Sequence, residues 1–351
     1  MNLSTAALAI IFVVAAGTTW MAGITLSRGT DALDARFGLG QDLGGILLLA
    51  FAGTLPELAI TVSAATRGDL SLAAGNLIGG IAMQTMVLVV CDFVAGRQRP
   101  LTYLVGALTP VLEGMLVVLV VTTVLMGALL PPSAAIGGVV SPASVAIVVI
   151  WLGGVAVINR ARKSPRWSIS MPGSHPGRRN RRMAHSDVKR PYAGTPTARV
   201  MVYFLAACTV TLISGVALEL TGESLANRAG INGVIFGATV LAGATALPEI
   251  SSGFAAVRLG DNALAIGDIF GGNAFQVCLF LLADLIGGAP VLPTAGRLNG
   301  WMAALGVALT AVYAGGIIVR PERCLARLGP DSILATVIFA AGIVGLALLP
   351  P

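Results

Sequence analysis

The distribution of apolar residues constrains this chain more than any other feature. Ten apolar runs are each about as long as the roughly 20 residues that a helix needs to cross the hydrocarbon core of a bilayer. The runs cover 5–27, 38–66, 70–94, 102–130, 136–158, 199–221, 231–258, 262–287, 297–319 and 332–349. Charged residues make up 11% of the chain, against about a quarter of a typical soluble domain. The sequence therefore predicts an all-α membrane protein with ten transmembrane helices.

One segment interrupts the apolar pattern, and it is strongly basic. Residues 159–198 and the adjoining Arg199 hold 11 of the 22 Lys and Arg residues, but the only acid among them is Asp187. A polar composition rich in proline, glycine and serine is typical of a disordered linker. The arginines at 178–182 resemble a nucleic-acid-binding patch, but between membrane helices we interpret them as a marker of the cytoplasmic side that can contact anionic lipid. No nucleic-acid partner is expected.

Placing this linker in the cytoplasm orients the ten predicted helices. The connections on the linker side then carry 19 of the 22 basic residues, and only Arg67, Arg228 and Arg297 lie on the other side. This asymmetry agrees with the positive-inside rule. Both termini then lie outside, and we expect a multi-pass protein of the cell membrane. The first run has no basic region before it, so we interpret it as a retained helix rather than a signal peptide.

The sequence also repeats itself. A shift of 192 residues aligns residues 31–92 with residues 223–284 without a gap. Rare polar residues stay in register through apolar sequence, so the repeat is a duplication. The aligned pairs include Arg36 and Arg228, Glu57 and Glu249, Asp69 and Asp261, Gln84 and Gln276, and Asp92 and Asp284.

The duplication divides the chain into two halves of five predicted helices. The first half covers 1–158 and the second covers 199–351, with the linker 159–198 between them, and the most similar parts are 38–94 and 231–287. Because five is an odd number, the second half must lie inverted relative to the first. This is the inverted-repeat architecture of secondary transporters.

A proline and a glutamate stand together in the second helix of each half, as Pro56-Glu57 and Pro248-Glu249. Proline removes a backbone donor and clashes with the carbonyl one turn earlier, so we expect helices 2 and 7 to break there and to free carbonyl oxygens. A charge at the bilayer centre costs about 2.5–3.5 kcal/mol or more. Since the nearby runs hold no basic residue apart from Arg258 at the end of one of them, a bound cation or protons must balance the glutamates. A protonated structural carboxyl is the alternative.

The next helix of each half supplies small residues and an amide. Glycine-rich stretches at 75–80 and 267–272 allow close approach of the broken helix. Gln84 and Gln276 follow one turn later, and their amide oxygens are neutral ligands of the kind that Ca²⁺ accepts. An interhelical hydrogen bond is the alternative role for such an amide.

These segments resemble the two alpha repeats of the sodium/calcium exchanger family, within the calcium/cation antiporter superfamily. The family pattern is roughly G-T-S-x-P-E on one helix and G-N-x-x-G-S-N-x-x-N/D on the next. Here residues 52–57 read A-G-T-L-P-E and residues 244–249 read A-T-A-L-P-E. The following helices begin their motifs with G-N and G-D, and those motifs end at Gln84 and Gln276.

The resemblance implies a cation site at the middle of the membrane. By position, the central ligands are Glu57 and Glu249, and the auxiliary ligands are Thr54, Thr245, Gln84 and Gln276. It also implies alternating access through sliding of the first and sixth helices across the rest of the protein. The transported ion is then the substrate, and no cofactor is expected.

The chain departs from the family pattern at several ligand positions. Ala246, Gly80 and Gly272 replace hydroxyl residues, and the final Asn or Asp is a glutamine in both copies. Ca²⁺ prefers about 6–8 oxygen ligands. Carbonyls or water could complete a calcium site; otherwise the substrate is Na⁺ or H⁺. The sequence leaves both open.

Further polar residues are candidates for a pathway or proton site. Asn76 and Asp268 occupy equivalent positions in the two copies, and Asp268 could instead be structural. Glu113 lies inside the fourth apolar run and has an apolar counterpart, so it could be a proton site in one half only. Asp69 and Asp261 are most simply N-caps of the helices that follow them.

The predicted function is a secondary active cation antiporter that exchanges Ca²⁺ for Na⁺ or H⁺. The nearest alternative keeps the fold but exchanges monovalent cations, as a Na⁺/H⁺-type exchanger does. A non-transporting membrane protein is a third hypothesis, which the intact Pro-Glu pairs disfavour. No nucleophile–base constellation or phosphate-binding loop supports an enzyme. The expected partners are the lipid bilayer and inorganic cations, and the oligomeric state stays open.

Overall fold

The computed structural model describes residues 3–37, 51, 53–95, 99–163, 192, 194–231, 233–258 and 260–349. Most of the predicted linker, and residues 38–50 of the second apolar run, lie outside the described residues. Within the described ranges the chain is helical, and β-pairing is limited to two isolated bridges. The all-α prediction is therefore confirmed for this part of the chain.

Twelve helices of the described residues form the bundle and position the polar residues inside it. In chain order they are α1 (Thr5–Phe37), α2 (Leu55–Arg67), α3 (Leu70–Ala95), α4 (Thr109–Ala128), α5 (Pro142–Lys163), α6 (Thr197–Ala229), α7 (Gly237–Thr245), α8 (Leu247–Arg258), α9 (Asn262–Gln276), α10 (Leu279–Gly287), α11 (Gly296–Val319) and α12 (Pro330–Leu348). Shorter helical turns occur at Leu101–Leu104, Pro132–Ala134, Gly233–Phe236 and Leu292–Thr294.

Seven helical spans among the described residues are long and apolar enough to cross a membrane. An eighth is the pair α7 and α8, which meet at a bend of 49°. Helix α12 contributes a shorter apolar stretch, Pro330–Leu346. Helix α2 begins at Leu55, and the rest of its apolar run falls largely outside the described residues. The chain is an integral membrane protein with seven to eight full spans in its described part, against the ten predicted.

Helix α3 lies at the centre of the bundle and α1 at its edge. In the most apolar part of each span, 67% of the residues are buried in α3 and 22% in α1. Gly79 permits the close approach of α3 to α7, because an added Cβ would lie 2.2 Å from the Cα of Ala238. Exposed apolar side chains on α1 and α6, such as Met21 and Ile213, face outward, as expected for helices that contact lipid.

Helices α1 and α6 make the same contact twice. Arg36 near the end of α1 binds the chain around the start of α6, and Arg228 near the end of α6 binds the chain around the start of α1. The acceptors are Thr195 O (2.7 Å) and Thr197 Oγ1 (3.1 Å) for Arg36, and Leu3 O (2.6 Å) and Thr5 Oγ1 (3.0 Å) for Arg228. The two arginines are 192 residues apart in the sequence, and so are the matching acceptor residues of the two contacts.

The repeated acids Asp92 and Asp284 also occupy matching positions. Each is buried and accepts two backbone hydrogen bonds, one from the connection that follows it and one from the other half of the chain. The donors are Leu101 N (2.6 Å) and Gly329 N (2.7 Å) for Asp92, and Val291 N (2.7 Å) and Ser141 N (2.9 Å) for Asp284. Gly329 and Ser141 directly precede α12 and α5, so each carboxylate anchors the start of the last helix of the opposite half.

The prediction of N-caps at Asp69 and Asp261 is confirmed. Asp69 Oδ1 accepts from Leu72 N at 3.1 Å, and Asp261 Oδ1 accepts from Leu264 N at 3.0 Å. These bonds satisfy donors that the first turn of a helix leaves free.

Candidate functional site

Both Leu-Pro-Glu segments begin a helix. In the second half, α7 ends at Thr245 and α8 begins at Leu247, so the predicted break in helix 7 occurs at Ala246. In the first half, α2 begins directly after a turn at Thr54. Each proline is the second residue of its helix, where its missing N–H is not needed by the helix. The breaks place both glutamates in the first turn of a helix inside the bundle.

Glu57 is fully buried and has one hydrogen-bonded oxygen. Its Oε1 accepts from Gln84 Nε2 at 3.1 Å, while its Oε2 has no hydrogen-bond partner among the described residues. The Thr245 side chain, from the other half, lies close to the Glu57 carboxylate. Gln84 thus faces Glu57 through its amide nitrogen, whereas a cation ligand at this position would present its amide oxygen.

Glu249 lies near Glu57 and is 9% exposed. It interacts electrostatically with the carboxylates of both Glu57 and Asp268. Its Oε2 has no hydrogen-bond partner within the described ranges. The structure therefore brings the two predicted central glutamates together, each with one buried oxygen that has no partner among the described residues. The salt bridges of the described residues involve neither glutamate.

The two predicted threonine ligands bond locally in the structure. Thr54 Oγ1 donates to Phe51 O at 3.4 Å, and Thr245 Oγ1 donates to Ala242 O at 3.2 Å. Both side chains are buried next to the helix breaks. The Thr245 hydroxyl oxygen retains acceptor capacity, because a hydroxyl has one proton and two lone pairs.

Gln276 and Gln84 have different partners despite their equivalent positions. Gln276 Nε2 donates to Leu77 O at 2.7 Å, and its Oε1 has no partner in the described part of the chain. Gln276 also lies against Gly80, where an added Cβ would be 2.4 Å from Nε2. The missing side chain at Gly80 therefore provides the space for the longer glutamine.

Asn273 is a residue that the sequence analysis missed. It is fully buried, and its Nδ2 donates to Thr85 Oγ1 at 3.2 Å while its Oδ1 is unpartnered among the described residues. The available signal was an amide in the middle of an apolar run, in the Asn position of the family pattern, where the first copy has Ile81. Asn76 is also buried, with neither side-chain atom hydrogen-bonded within the described ranges.

Asp268 and Glu113 extend the polar region beyond the two glutamates. Asp268 accepts a hydrogen bond of 2.8 Å from Ser252 Oγ. Glu113 forms an ion pair with Arg162, with 2.6 Å between Oε1 and Nη2. Arg162 was assigned to the linker from the sequence, but the structure places it in the last turn of α5.

A cavity of about 370 Å³ joins these groups. Its polar lining residues include Gln84, Glu113, Arg162, Glu249, Ser252 and Asp268. One end lies at Gln84 and Glu249. The other end reaches Thr109 at the start of α4, Arg162 in the last turn of α5 and Asp261 before α9. The cavity therefore connects Glu249 to the end of the bundle where the basic linker begins.

An ion-pair cluster lies in the C-terminal half of α6 and at the end of α2. Glu219 in α6 is fully buried, accepts from Ser63 Oγ at 2.9 Å and pairs with Arg67. Arg67 also pairs with Glu223 at 3.0 Å. None of these four residues lines the cavity.

Carboxylates alone do not build a closed metal centre here. No group of three or more His, Cys, Asp or Glu side chains in the described part of the chain is arranged to hold a metal ion. A cation between Glu57 and Glu249 would need additional oxygens. The structure offers the hydroxyl of Thr245 nearby, and the oxygen of Gln84 after rotation of its amide.

Comparison with known proteins gives one consistent family. A family model described as sodium/calcium exchanger protein matches residues 7–158 and 199–329. Inner membrane protein YrbG of Escherichia coli (strain K12) is 27% identical over 267 residues, which are 75% of this chain and 73% of the relative.

Solved structures show the same fold. The crystal structure of the H⁺/Ca²⁺ exchanger CAX matches with a TM-score of 0.67 and 15% identity, over 98% of this chain and 82% of that chain. A structure of the sodium-calcium exchanger NCX_Mj matches with a TM-score of 0.59 and 13% identity, over 99% of this chain and 100% of that chain.

Proposed function

Because the chain belongs to the sodium/calcium exchanger family, a family of cation antiporters, we propose that it exchanges Ca²⁺ for Na⁺ or H⁺ at a site between Glu57 and Glu249. One observation carries this proposal. Two buried carboxylates from the two halves lie together, each with an oxygen that lacks a partner among the described residues. A buried carboxylate without a counter-charge is strongly unfavourable, so a cation or protons complete the site.

The charge of the site suits one divalent cation. Two carboxylates neutralise one Ca²⁺, and two Na⁺ or two protons neutralise the same pair. This equivalence allows exchange without leaving an uncompensated charge in the bilayer. Oxygens of Thr54, Thr245 and Gln84, with backbone carbonyls freed at the helix breaks, would complete the coordination of about 6–8 ligands that Ca²⁺ prefers. Gln84 would have to rotate its amide to present oxygen.

We propose ten transmembrane helices in two inverted halves, 1–158 and 199–351, joined by the linker 159–198. The reciprocal contacts of Arg36 and Arg228 support this arrangement, because repeated residues bind repeated residues with the direction of α1 and α6 exchanged. The crossed contacts of the repeated aspartates Asp92 and Asp284 support it independently.

The proposed orientation places the linker in the cytoplasm and both termini outside the cell membrane. The cavity then connects Glu249 to the cytoplasm. The cluster of Arg67, Glu219 and Glu223 lies toward the outside and holds α6 against α2. Alternating access would require that cluster to separate as α1 and α6 slide, because a transporter cannot be open at both ends at once.

A Na⁺/H⁺-type exchanger is the second candidate. It is favoured by the missing hydroxyls at Gly80, Gly272 and Ala246, and by the amide nitrogen that Gln84 turns toward Glu57. Both features reduce the number of oxygens available to a divalent cation. Two carboxylates remain sufficient for exchange of Na⁺ against protons.

Ion flux into sealed vesicles tests the proposal. Purified protein in proteoliposomes would be given ⁴⁵Ca²⁺ under an imposed Na⁺ gradient and, separately, under a pH gradient. We expect calcium uptake under at least one gradient, and the effective gradient names the coupling ion. Sodium-dependent proton movement without calcium flux would favour the second candidate. Vesicles with no flux of Ca²⁺, Na⁺ or H⁺ beyond that of protein-free vesicles would favour a non-transporting protein.

A further inference from the structure

The cavity contains a carboxylate outside the repeated motif. Glu113 lies in α4, is 6% exposed and lines the cavity. Its Oε1 accepts from Arg162, while its Oε2 has no hydrogen-bond partner in the described ranges. The equivalent position in the second half is Leu305. The carboxylate therefore occurs once, and the pseudo-symmetry of the central site does not account for it.

Asp268 connects Glu113 to the central site. Its carboxylate interacts electrostatically with both Glu113 and Glu249. Ser252, one turn after Glu249 in α8, donates to Asp268. Four carboxylates and one guanidinium, that of Arg162, belong to the described residues that line the cavity; the carboxylates are those of Glu249, Asp268, Glu113 and Asp261. An excess of negative charge in a cavity concentrates cations there.

Arg162 already places a positive charge next to Glu113. Its side chain is 42% exposed, so the guanidinium lies between the solvent at the end of α5 and the buried Glu113. Arginine forms short, directional bonds with carboxylates and keeps its charge at any accessible pH. Where Arg162 stands, a free cation cannot bind Glu113 in the same geometry.

We propose that Glu113 and Asp268 form an outer cation site in the cavity mouth, and that the Arg162 guanidinium is a tethered competitor for that site. The site would take a hard inorganic cation such as Na⁺ or Ca²⁺, with the Ser252 hydroxyl as a neutral ligand. When Arg162 swings into the solvent, a cation takes its place on Glu113. The inference rests on the proposed function only in that this cavity is the route to Glu57 and Glu249.

Equilibrium binding of ⁴⁵Ca²⁺ and ²²Na⁺ to the purified full chain in nanodiscs tests the outer site. Arg162→Gln removes the competitor, and Arg160→Gln is the matched control because Arg160 is an exposed arginine of the same helix that does not line the cavity. We expect Arg162→Gln to lower the apparent Kd of one of the two ions by roughly two- to five-fold, the range for a partly exposed ion pair. We expect Arg160→Gln to leave the Kd unchanged. Equal Kd values for the two variants would overturn the proposal.

Two further variants keep the test decisive if Arg162→Gln fails to fold. Glu113→Gln frees Arg162 to approach Asp268, so the apparent Kd should rise, again by about two- to five-fold. Glu113→Gln with Arg162→Gln removes both charges and should return the Kd toward that of the wild type. An unchanged Kd in Glu113→Gln would overturn the outer site.

The failure of this inference is distinguishable from the failure of the proposed function. Binding that is lost in Glu57→Gln but insensitive to Arg162→Gln would overturn the outer site and leave the central site standing. Binding that survives Glu57→Gln but responds to Arg162→Gln would support the outer site and contradict the central one. Absence of binding in every variant would overturn both.

Discussion

Replacement of Gly79 by alanine tests the packing that positions the site. A Cβ at Gly79 would lie 2.2 Å from the Cα and 2.5 Å from the Cβ of Ala238, in the π-helical first turn of α7. Because the closer atom belongs to the backbone, it cannot rotate away, and α3 and α7 must separate. Overpacking of this kind costs about 1–3 kcal/mol or more. Alanine regains about 1 kcal/mol of helix propensity relative to glycine.

The expected net effect of Gly79→Ala is a destabilisation of about 2 kcal/mol. For a protein of this size that corresponds to a fall in the midpoint of thermal unfolding of roughly 2–4 °C. Gly271 is the comparison position, because it is equivalent to Gly79 in the second half and an added Cβ there meets no atom of the described residues within 4 Å. Gly271→Ala should leave the midpoint unchanged or raise it slightly.

The assay is thermal unfolding of the two variants in detergent, followed by size-exclusion chromatography of the protein that remains soluble and monodisperse. Both variants make the same chemical change in equivalent helices, so lipid, detergent and scan rate affect them alike. Equal midpoints for Gly79→Ala and Gly271→Ala would refute the close approach of α3 and α7. A larger fall of the thermal midpoint in Gly271→Ala than in Gly79→Ala would refute the conclusion that Gly79 is the more closely packed of the two glycines.

Asp284→Ala leaves Ser141 N and Val291 N without their acceptor, so we expect the free energy of unfolding to fall by roughly 2–4 kcal/mol. The control Asp261→Ala removes only an N-cap and should lower it by about 1 kcal/mol. A lower thermal midpoint for Asp261→Ala than for Asp284→Ala would contradict the crossed contact of Asp284. Arg67→Gln breaks the ion pairs with Glu219 and Glu223. In a cysteine-free background with a Ser63→Cys reporter, we expect Arg67→Gln to increase modification of the reporter by an impermeant thiol reagent added opposite the linker side, and Arg67→Lys to leave it unchanged. Equal labelling of the two variants would count against the cluster as a closed gate.

Much of the architecture could be predicted because the determining signals are local. Proline excludes a backbone hydrogen bond wherever it stands, so Pro248 predicts the observed break between α7 and α8. Aspartate after glycine satisfies the first free donors of the next helix, so Asp69 and Asp261 predict their N-caps. The repeat aligns Arg36 with Arg228 but does not predict what either residue binds. Their exchanged contacts depend on the packing of α1 against α6.

The details of the site could not be predicted because they depend on contacts between distant segments. Gln84 and Gln276 are equivalent in sequence, but one binds Glu57 and the other binds a backbone carbonyl of α3. Arg162 was assigned to the linker by its charge, although α5 continues to Lys163 and carries that charge to Glu113. Arginine is a good helix former with a long apolar stem, so a basic residue does not by itself end a membrane helix.

Charge-neutral substitution of the two glutamates tests the central claim most directly. Glu57→Gln and Glu249→Gln preserve shape and burial but remove the carboxylates, and Glu322→Gln makes the same change at an exposed position. In proteoliposomes that contain equal amounts of folded protein, we predict that gradient-driven flux of ⁴⁵Ca²⁺ or ²²Na⁺ is abolished in Glu57→Gln and in Glu249→Gln and is retained in Glu322→Gln. Full flux in both glutamate variants would contradict a cation site between Glu57 and Glu249.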